Sequence, residues 1–457
     1  MPPPASPPWK KIVLWSVPAF LLLLVVGGFA VRRGIDAYLR SEQFRTFLAQ
    51  KAGGTLRAEA EIAPLHFEGA NLFTDRFSAR GTTAAKFSSL QIEGARAEVS
   101  LRHFFEHAWR VEQLDVQRLR VDLVGARLPA AATEPKVVKD RIADANRSRW
   151  LPDRVEIGTA VIRDLQLTWE EGALRGTALQ LQPTDDGWTI NGSGGSITHG
   201  ALPPLSVHRL DLASRGSSLF VRAAELRQGE GGSVIADGEV NFEERLDLHA
   251  VLRGVALTPW LAGDWRARLR GDASGEVNVR CPLPIRGSPE ITGQLTLENG
   301  VLEALPVLNQ IAAFTKTQQF RRLKLTRASA DFTQQEPRLT VRNLVAESEG
   351  LIRVEGGFFI ERGVIEGNFQ VGVTPASLQW LPGSQARVFT ENRAGYLWAP
   401  MRLAGPVASP KEDLTERLIA AAGTEVIEQL GGAAKDATKQ LKDAAKSAFD
   451  LLLGPGR

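Results

Sequence analysis

The chemistry-capable residues of this 457-residue chain are few. Of six histidines only His103 and His107 stand close together, in His-Phe-Phe-Glu-His. Spaced i,i+4 on a helix, two imidazoles share a face and could take a metal ion. A zinc protease of that spacing needs its glutamate directly after the first histidine, where Phe104 stands, and Glu106 is out of place. The pair is therefore expected to serve packing or solvent contact. Asp185-Asp186-Gly187 has the residues of a turn and lacks the further oxygen ligands of a calcium loop. Gly192-Ser-Gly-Gly195 predicts a hairpin turn, and the chain has no phosphate-binding Gly-Lys-Ser/Thr loop and no Gly-x-Ser-x-Gly elbow. The lone Cys281 excludes an intramolecular disulfide and a cysteine-based zinc site. Acidic pairs such as Glu170-Glu171 and Glu243-Glu244 suit solvated faces. With no nucleophile, base or metal set to nominate, the expectation is a non-enzymatic protein without a cofactor.

Composition sets further bounds. The hydrophobic share of 43% and charged share of 23% are those of a folded chain. A net charge of +3 lacks the concentrated basic footprint of a nucleic-acid binder, so no nucleic-acid partner is expected. The 43 glycines suit many turns between short strands.

Ile12–Val31 is an uncharged, mainly apolar run. At ~1.5 Å per residue it spans ~30 Å, the thickness of a bilayer core. Lys10 and Lys11 precede it and Arg32 and Arg33 follow, with Trp9, Trp15 and Tyr38 placed as interface anchors. Pro18 is tolerable in a membrane helix. A cleaved signal peptide is the alternative, but it has a shorter core and a small-residue cleavage site. The expected topology is a short tail inside and the bulk of the chain outside.

Beyond the anchor the pattern is mostly of period two. Residues 34–54 read as a juxtamembrane helix that Gly53-Gly54 ends. Residues 55–128 form a first β segment, interrupted by a helical piece at Leu101–Trp109. In Val111–Leu123 the apolar phase flips between Val116 and Leu119, which predicts a bulge or bend in a continuing strand. Residues 129–150 read as a linker or loop, 151–289 as a middle β segment, and 290–411 as a C-terminal β segment with a helix near 306–316. Residues 412–457 form an amphipathic helix, suited either to packing on the protein's own sheet or to a membrane surface or partner. Strands at short spacing with few helices between them predict a mainly β chain.

The alternation is clearest in Glu290–Val373. Ile352, Val354, Gly356, Phe358 and Ile360, then Ile365, Gly367, Phe369, Val371 and Val373, fall on one face. Arg353, Glu355, Glu366, Asn368 and Gln370 fall on the other. A one-sided sheet must bury its apolar face by closing as a sandwich, by taking a cover of helices, or by curling into a groove filled from outside. Beside a membrane anchor, the available apolar filler is an acyl chain. Ile352, Val354, Phe358, Ile360, Phe369 and Val371 are the candidate lipid contacts on that reading, and ordinary core on the others.

The chain resembles the AsmA-like family of Gram-negative envelopes, relatives of the bridge-like lipid transfer proteins. The likeness lies in the anchor, Phe87–Val99, Val111–Leu123, Gly293–Leu302, the helix after Pro306, Phe320–Phe332, Leu351–Val373 and the closing Leu403-Ala-Gly-Pro-Val-Ala-Ser-Pro-Lys411. The resemblance implies a long, curved, antiparallel-rich sheet with an apolar groove, anchored in the inner membrane and projecting into the periplasm. It implies phospholipid and the inner membrane as partners, together with outer-membrane or periplasmic assembly proteins. The role implied is lipid traffic or outer-membrane assembly. A closed scaffold that docks envelope protein machinery is the alternative.

Overall fold

The computed structural model describes residues 41–68, 71–83, 85–100, 108–125, 154–200, 202–261, 263, 265–283, 288–303, 318–379, 383–407 and 409–429. The anchor run, the His103/His107 pair, the 129–150 linker, the 306–316 helix and the tail beyond Gln429 lie outside these residues. Among the described residues no helix is long and apolar enough to cross a membrane. The chain is mainly β and divides into two compact units, Met1–Gly200 and Ala201–Arg457. The division falls within the segment expected at 151–289.

In Met1–Gly200 the first described element is α1 (Glu42–Leu56), capped by Ser41, whose Oγ accepts the Phe44 N–H at 3.2 Å. Gly53-Gly54 lies inside this helix and does not end it. The stop comes at Arg57, which takes φ 54° and donates its N–H to the Gly53 carbonyl. A Cβ on Gly53 would lie 2.6 Å from the Ala58 carbonyl oxygen, so this glycine serves a close approach to the next strand.

The strands of this unit are β1 (Ala58–Ile62), β2 (Leu65–Glu68), β3 (Asn71–Gly81), β4 (Ser89–Ser100), β5 (Ala108–Asp122), β6 (Arg154–Trp169), β7 (Gly172–Thr184), β8 (Gly187–Ser193) and β9 (Ser196–His199). Ala108 and Trp109, expected at the end of a helical piece, open strand β5 instead. β1 and β2 both pair with β3, and β3 to β7 pair in chain order. These pairs are antiparallel except β5–β6, which is parallel. The long connection from Asp122 to Arg154 permits this, because a parallel partner needs a crossover.

The phase flip in β5 proves to be shared with its neighbour. Gly94, with φ 61°, and Gln117 drop out of the β4–β5 ladder, while the register on either side is unchanged. Both strands change face at the same level. As a result Ile92, Ala95, Leu114 and Leu119 all pack with the buried Val116, Ile162 and Leu165. Gly192–Gly195 is likewise not a hairpin. β8 pairs with Ala178–Thr184 of β7 and β9 with Gly172–Arg175, in one continuing register. The glycines are a kink within one strand line. Gly194 and Gly195 have φ 77° and 79°, and a Cβ on Gly195 would lie 2.2 Å from the Arg175 carbonyl oxygen.

The polar side of β4–β6 carries an ion-pair network. Arg118 bridges Asp164 at 2.6 Å and Glu93 at 3.1 Å, Arg120 reaches Glu93 at 2.9 Å, and Arg163 grips Asp115 with two bonds of 3.0 and 2.7 Å. The Arg163 hydrogen bond holds the Asp115 carboxyl below the usual 3.8, and the Arg118 hydrogen bond does the same for Asp164. A carboxyl whose folded pKa is depressed contributes stability above its unfolded pKa and loses it as pH falls through the folded value. Acidification below about pH 4 is therefore expected to lower the melting temperature, and Asp164→Asn should flatten part of that pH slope. Melting curves at pH 7 and pH 3 check this; identical slopes in wild type and variant would refute it.

In Ala201–Arg457 the strands are β10 (Leu205–Arg215), β11 (Ser218–Gln228), β12 (Gly232–Asn241), β13 (Arg245–Ala256), β14 (Leu269–Pro282), β15 (Glu290–Glu303), β16 (Arg322–Leu325), β17 (Arg327–Gln335), β18 (Arg338–Ser348), β19 (Ile352–Glu361), β20 (Val364–Val373), β21 (Glu391–Arg393), β22 (Tyr396–Pro406) and β23 (Lys411–Glu412). They form an antiparallel meander in which β16 and β17 together line β15, and β21 and β23 flank the two ends of β22.

The helices of this unit are α2 (Trp265–Arg268), α3 (Pro375–Leu378), α4 (Ser384–Arg387) and α5 (Leu414–Gln429). The meander places α2, the 3-10 turns Thr258–Trp260 and Gln318–Arg321, and the α3–α4 connection at one end of the strands. The other end has the turns after β10, β12, β17 and β19. The free edge of β22 is blunted. Pro400 removes a donor there, the Asp413 carboxylate accepts the Arg402 N–H at 2.8 Å, and Arg417 donates to the Pro400 carbonyl at 2.8 Å.

Candidate functional site

Strand register places one apolar face across the second unit. In β19 and β20, Ile352 faces Val373, Val354 faces Val371, Gly356 faces Phe369, Phe358 faces Gly367 and Ile360 faces Ile365. The same face continues through Phe369–Met401 and Val371–Ala399 on one side and Phe358–Val341 on the other. Further back it holds Phe332 opposite Gly293, Gly293 opposite Val277, Val277 opposite Ala250, and Ala250 opposite Ala236.

The expected candidates do not share one environment. Ile352, Phe369 and Val371 are buried, at 2%, 8% and 3% exposure. They form one cluster with Leu378, Val388, Phe389, Leu414, Leu418 and Ala421, which come from α3, the end of α4 and α5. Val354 and Phe358 are half-buried against this cluster, and Ile360 is half-buried outside it. The apolar face near the last strands is thus helix-covered, so the chain supplies its own filler there. Gly356 makes room for the packing. It has φ 154°, and a Cβ there would lie 2.3 Å from the Asn368 carbonyl oxygen and 3.0 Å from the Phe369 ring. Phe358 and Phe369 sit with ring centroids 6.3 Å apart.

Over β11–β14 the environment differs. Val221, Val234, Leu248, Leu252, Val277 and Val279 are all half-buried. Among the described residues, β11, β12 and β13 make substantial contact only with neighbouring strands, and β14 adds only α2 and the Thr258–Trp260 turn at one end. Among the described residues this is a contiguous apolar surface without a second layer. Left to water it costs about 25 cal/mol for each Å². The alternation in Val234–Leu252 is the sequence signal for it, and the alternation is of the same kind as in the covered part.

The opposite face suits water. It carries the cross-strand ion pairs Arg222–Asp211 at 3.5 Å, Arg280–Asp247 at 3.5 Å and Arg353–Glu347 at 3.2 Å, a His249–Asp237 hydrogen bond at 3.1 Å, and a pair within one strand, Arg353–Glu355 at 2.7 Å. Exposed pairs of this kind are each worth ~1 kcal/mol or less, but they identify the solvated side. At the last strands Trp398 lies on this side, buried to 2%, with its Nε1–H donated to the Arg393 carbonyl at 2.9 Å. Burial raises the pKa of the adjacent Tyr396, whose hydroxyl bonds Glu347 at 3.1 Å.

Among the described residues no group of three or more His, Cys, Asp or Glu side chains is placed to hold a metal. Cys281 is buried, and its Sγ donates to the Pro282 carbonyl at 3.5 Å. Asp185 and Asp186 form the turn between β7 and β8. Comparison of the chain with protein-family models, with curated proteins and with solved structures gave no match.

Proposed function

We propose that this chain is an envelope protein of AsmA-like type. On this reading Ile12–Val31 anchors it in the inner membrane, and the bulk of the chain lies in the periplasm. The second-unit sheet acts as an apolar groove that binds or conducts phospholipid, without catalysis. The role is to support outer-membrane assembly or lipid homeostasis. The observation that carries the reading is the apolar face of β11–β14, which has no second layer among the described residues and is backed by a face laced with ion pairs. Such a face needs an apolar occupant, and an acyl chain gains ~0.8 kcal/mol for each CH₂ it buries. The headgroup stays in water.

Native mass spectrometry of the full-length protein extracted from membranes tests the reading. One or more phospholipids bound per chain is the expected result. A lipid-free protein whose β11–β14 face is shielded in solution by its own chain would overturn it. A crosslinked envelope protein on that face, without lipid, would favour the scaffold role instead.

A further inference from the structure

We propose that the cleft at the turn end of β13–β15 and β17 binds a zwitterion made of a phosphate ester and a primary ammonium. The proposal rests on the lipid-binding reading and makes that group the headgroup of a zwitterionic phospholipid. The cleft has a volume of about 570 Å³, in the range of small-molecule sites. Its walls include Glu244, Arg245, Asp247, Arg280 and Glu290. Strand register sets Asp247, Arg280 and Glu290 in one row across β13, β14 and β15, and sets Pro282 opposite Arg245.

The cleft gathers paired and unpaired charges in one place. Elsewhere on this side of the sheet several arginines and carboxylates pair across strands, while others, among them Arg253, Glu298 and Glu366, stand apart without an ion pair among the described residues. In the cleft Arg280 pairs with Asp247 at 3.5 Å. Among the described residues, the side chains of Arg245, Glu244 and Glu290 have no ion pair. A proline opposite Arg245 supplies it no partner. One open guanidinium beside two open carboxylates is the complement of a ligand carrying both signs. The guanidinium fork suits two phosphate oxygens, and the carboxylates suit an ammonium.

Position connects the cleft to the apolar face. Leu246 and Cys281 also line it, and by alternation they belong to the apolar side of the same strands. Leu246 faces Val240 and Cys281 across β12–β14. An acyl chain lying on β12–β14 would end at these residues, and its headgroup would turn over the strand ends into the cleft.

The test uses the full-length protein in detergent, with Arg245→Ala and Glu290→Gln, both checked for an unchanged melting curve. Soluble glycerophosphoethanolamine is titrated in. Separately, the lipid taken from mixed phosphatidylethanolamine and phosphatidylglycerol vesicles is analysed. Wild type is expected to bind the soluble headgroup and to enrich phosphatidylethanolamine. Each variant should weaken the soluble ligand by about 10- to 100-fold and lose the enrichment while retaining total lipid. Lipid uptake without headgroup preference, or affinity unchanged in both variants, overturns the cleft and leaves the groove reading standing. Equal competition by inorganic phosphate also overturns it, as that marks a plain anion site. Variant-sensitive binding of the soluble headgroup by a protein that takes up no lipid upholds the cleft and defeats the groove reading.

Discussion

A chain carrying Val277→Asp is expected to leave the membrane with little or no bound phospholipid while keeping its melting temperature within a few degrees of wild type. Val277 is half-buried in β14, on the part of the apolar face that no described element covers, between Ala250 and Gly293. The Phe332 ring lies over Gly293, but on the Ala250 side no described layer covers the face and an aspartate reaches water, so the lipid-free protein tolerates it at about 1 kcal/mol, the common size of a point-mutation effect. Beneath an acyl chain the same carboxylate would be stripped of water, which costs several kcal/mol or more. That penalty cancels the gain of several buried CH₂ groups at ~0.8 kcal/mol each. Asn278→Asp, on the opposite side of the same strand, is the control and should bind as wild type does. Lipid per chain, counted by mass spectrometry beside thermal melts, decides the matter; wild-type lipid content in Val277→Asp would remove β14 from the binding surface.

Phe369→Ala is expected to lower the stability of the second unit by ~3–5 kcal/mol, the cost of emptying a buried aromatic site. Phe369 is 8% exposed and sits in the cluster closed by Phe389, Leu414 and Leu418. Its ring covers Gly356 and approaches Gly367, and neither glycine has a side chain to refill the space. The surrounding sheet is held by its ladders, so collapse into the cavity should be slight. Urea unfolding followed by far-UV circular dichroism measures the change. A loss below 1 kcal/mol would mean that the helical cover is not a packed layer.

The two variants differ in kind although Val277 and Phe369 look alike in sequence. Each is an apolar residue in a run of period two, next to polar neighbours. Alternation reports the pleat, which is a property of neighbouring φ and ψ angles, and so both were legible as residues of one apolar face. Whether that face is covered depends on segments far along the chain. Leu414 and Leu418 cover Phe369 from beyond the last strands, and nothing near Phe369 announces them. For the same reason Ile352 and Val371 proved to be packed against the protein's own helices, while the surface that no described element covers lies in strands whose alternation is no stronger.

Glycine shows the same limit. Gly53-Gly54 was expected to end a helix and Gly192–Gly195 to make a hairpin, since glycine permits both. In the fold Gly53 lets α1 approach Ala58, and Gly194–Gly195 kink one strand line beside β7. Glycine widens the backbone's choices, and the partner strand makes the selection.

The amino-acid sequence by itself determined the mainly β class and the face on which the residues of Ile352–Ile360 and Ile365–Val373 lie, because both follow from local periodicity. Only the tertiary structure decided that β5 and β6 run parallel, that β4 and β5 change face together, and that among the described residues the apolar face is covered over β19–β22 and has no second layer over β11–β14. Those outcomes rest on contacts between residues distant in the chain, whose free energy no local pattern records.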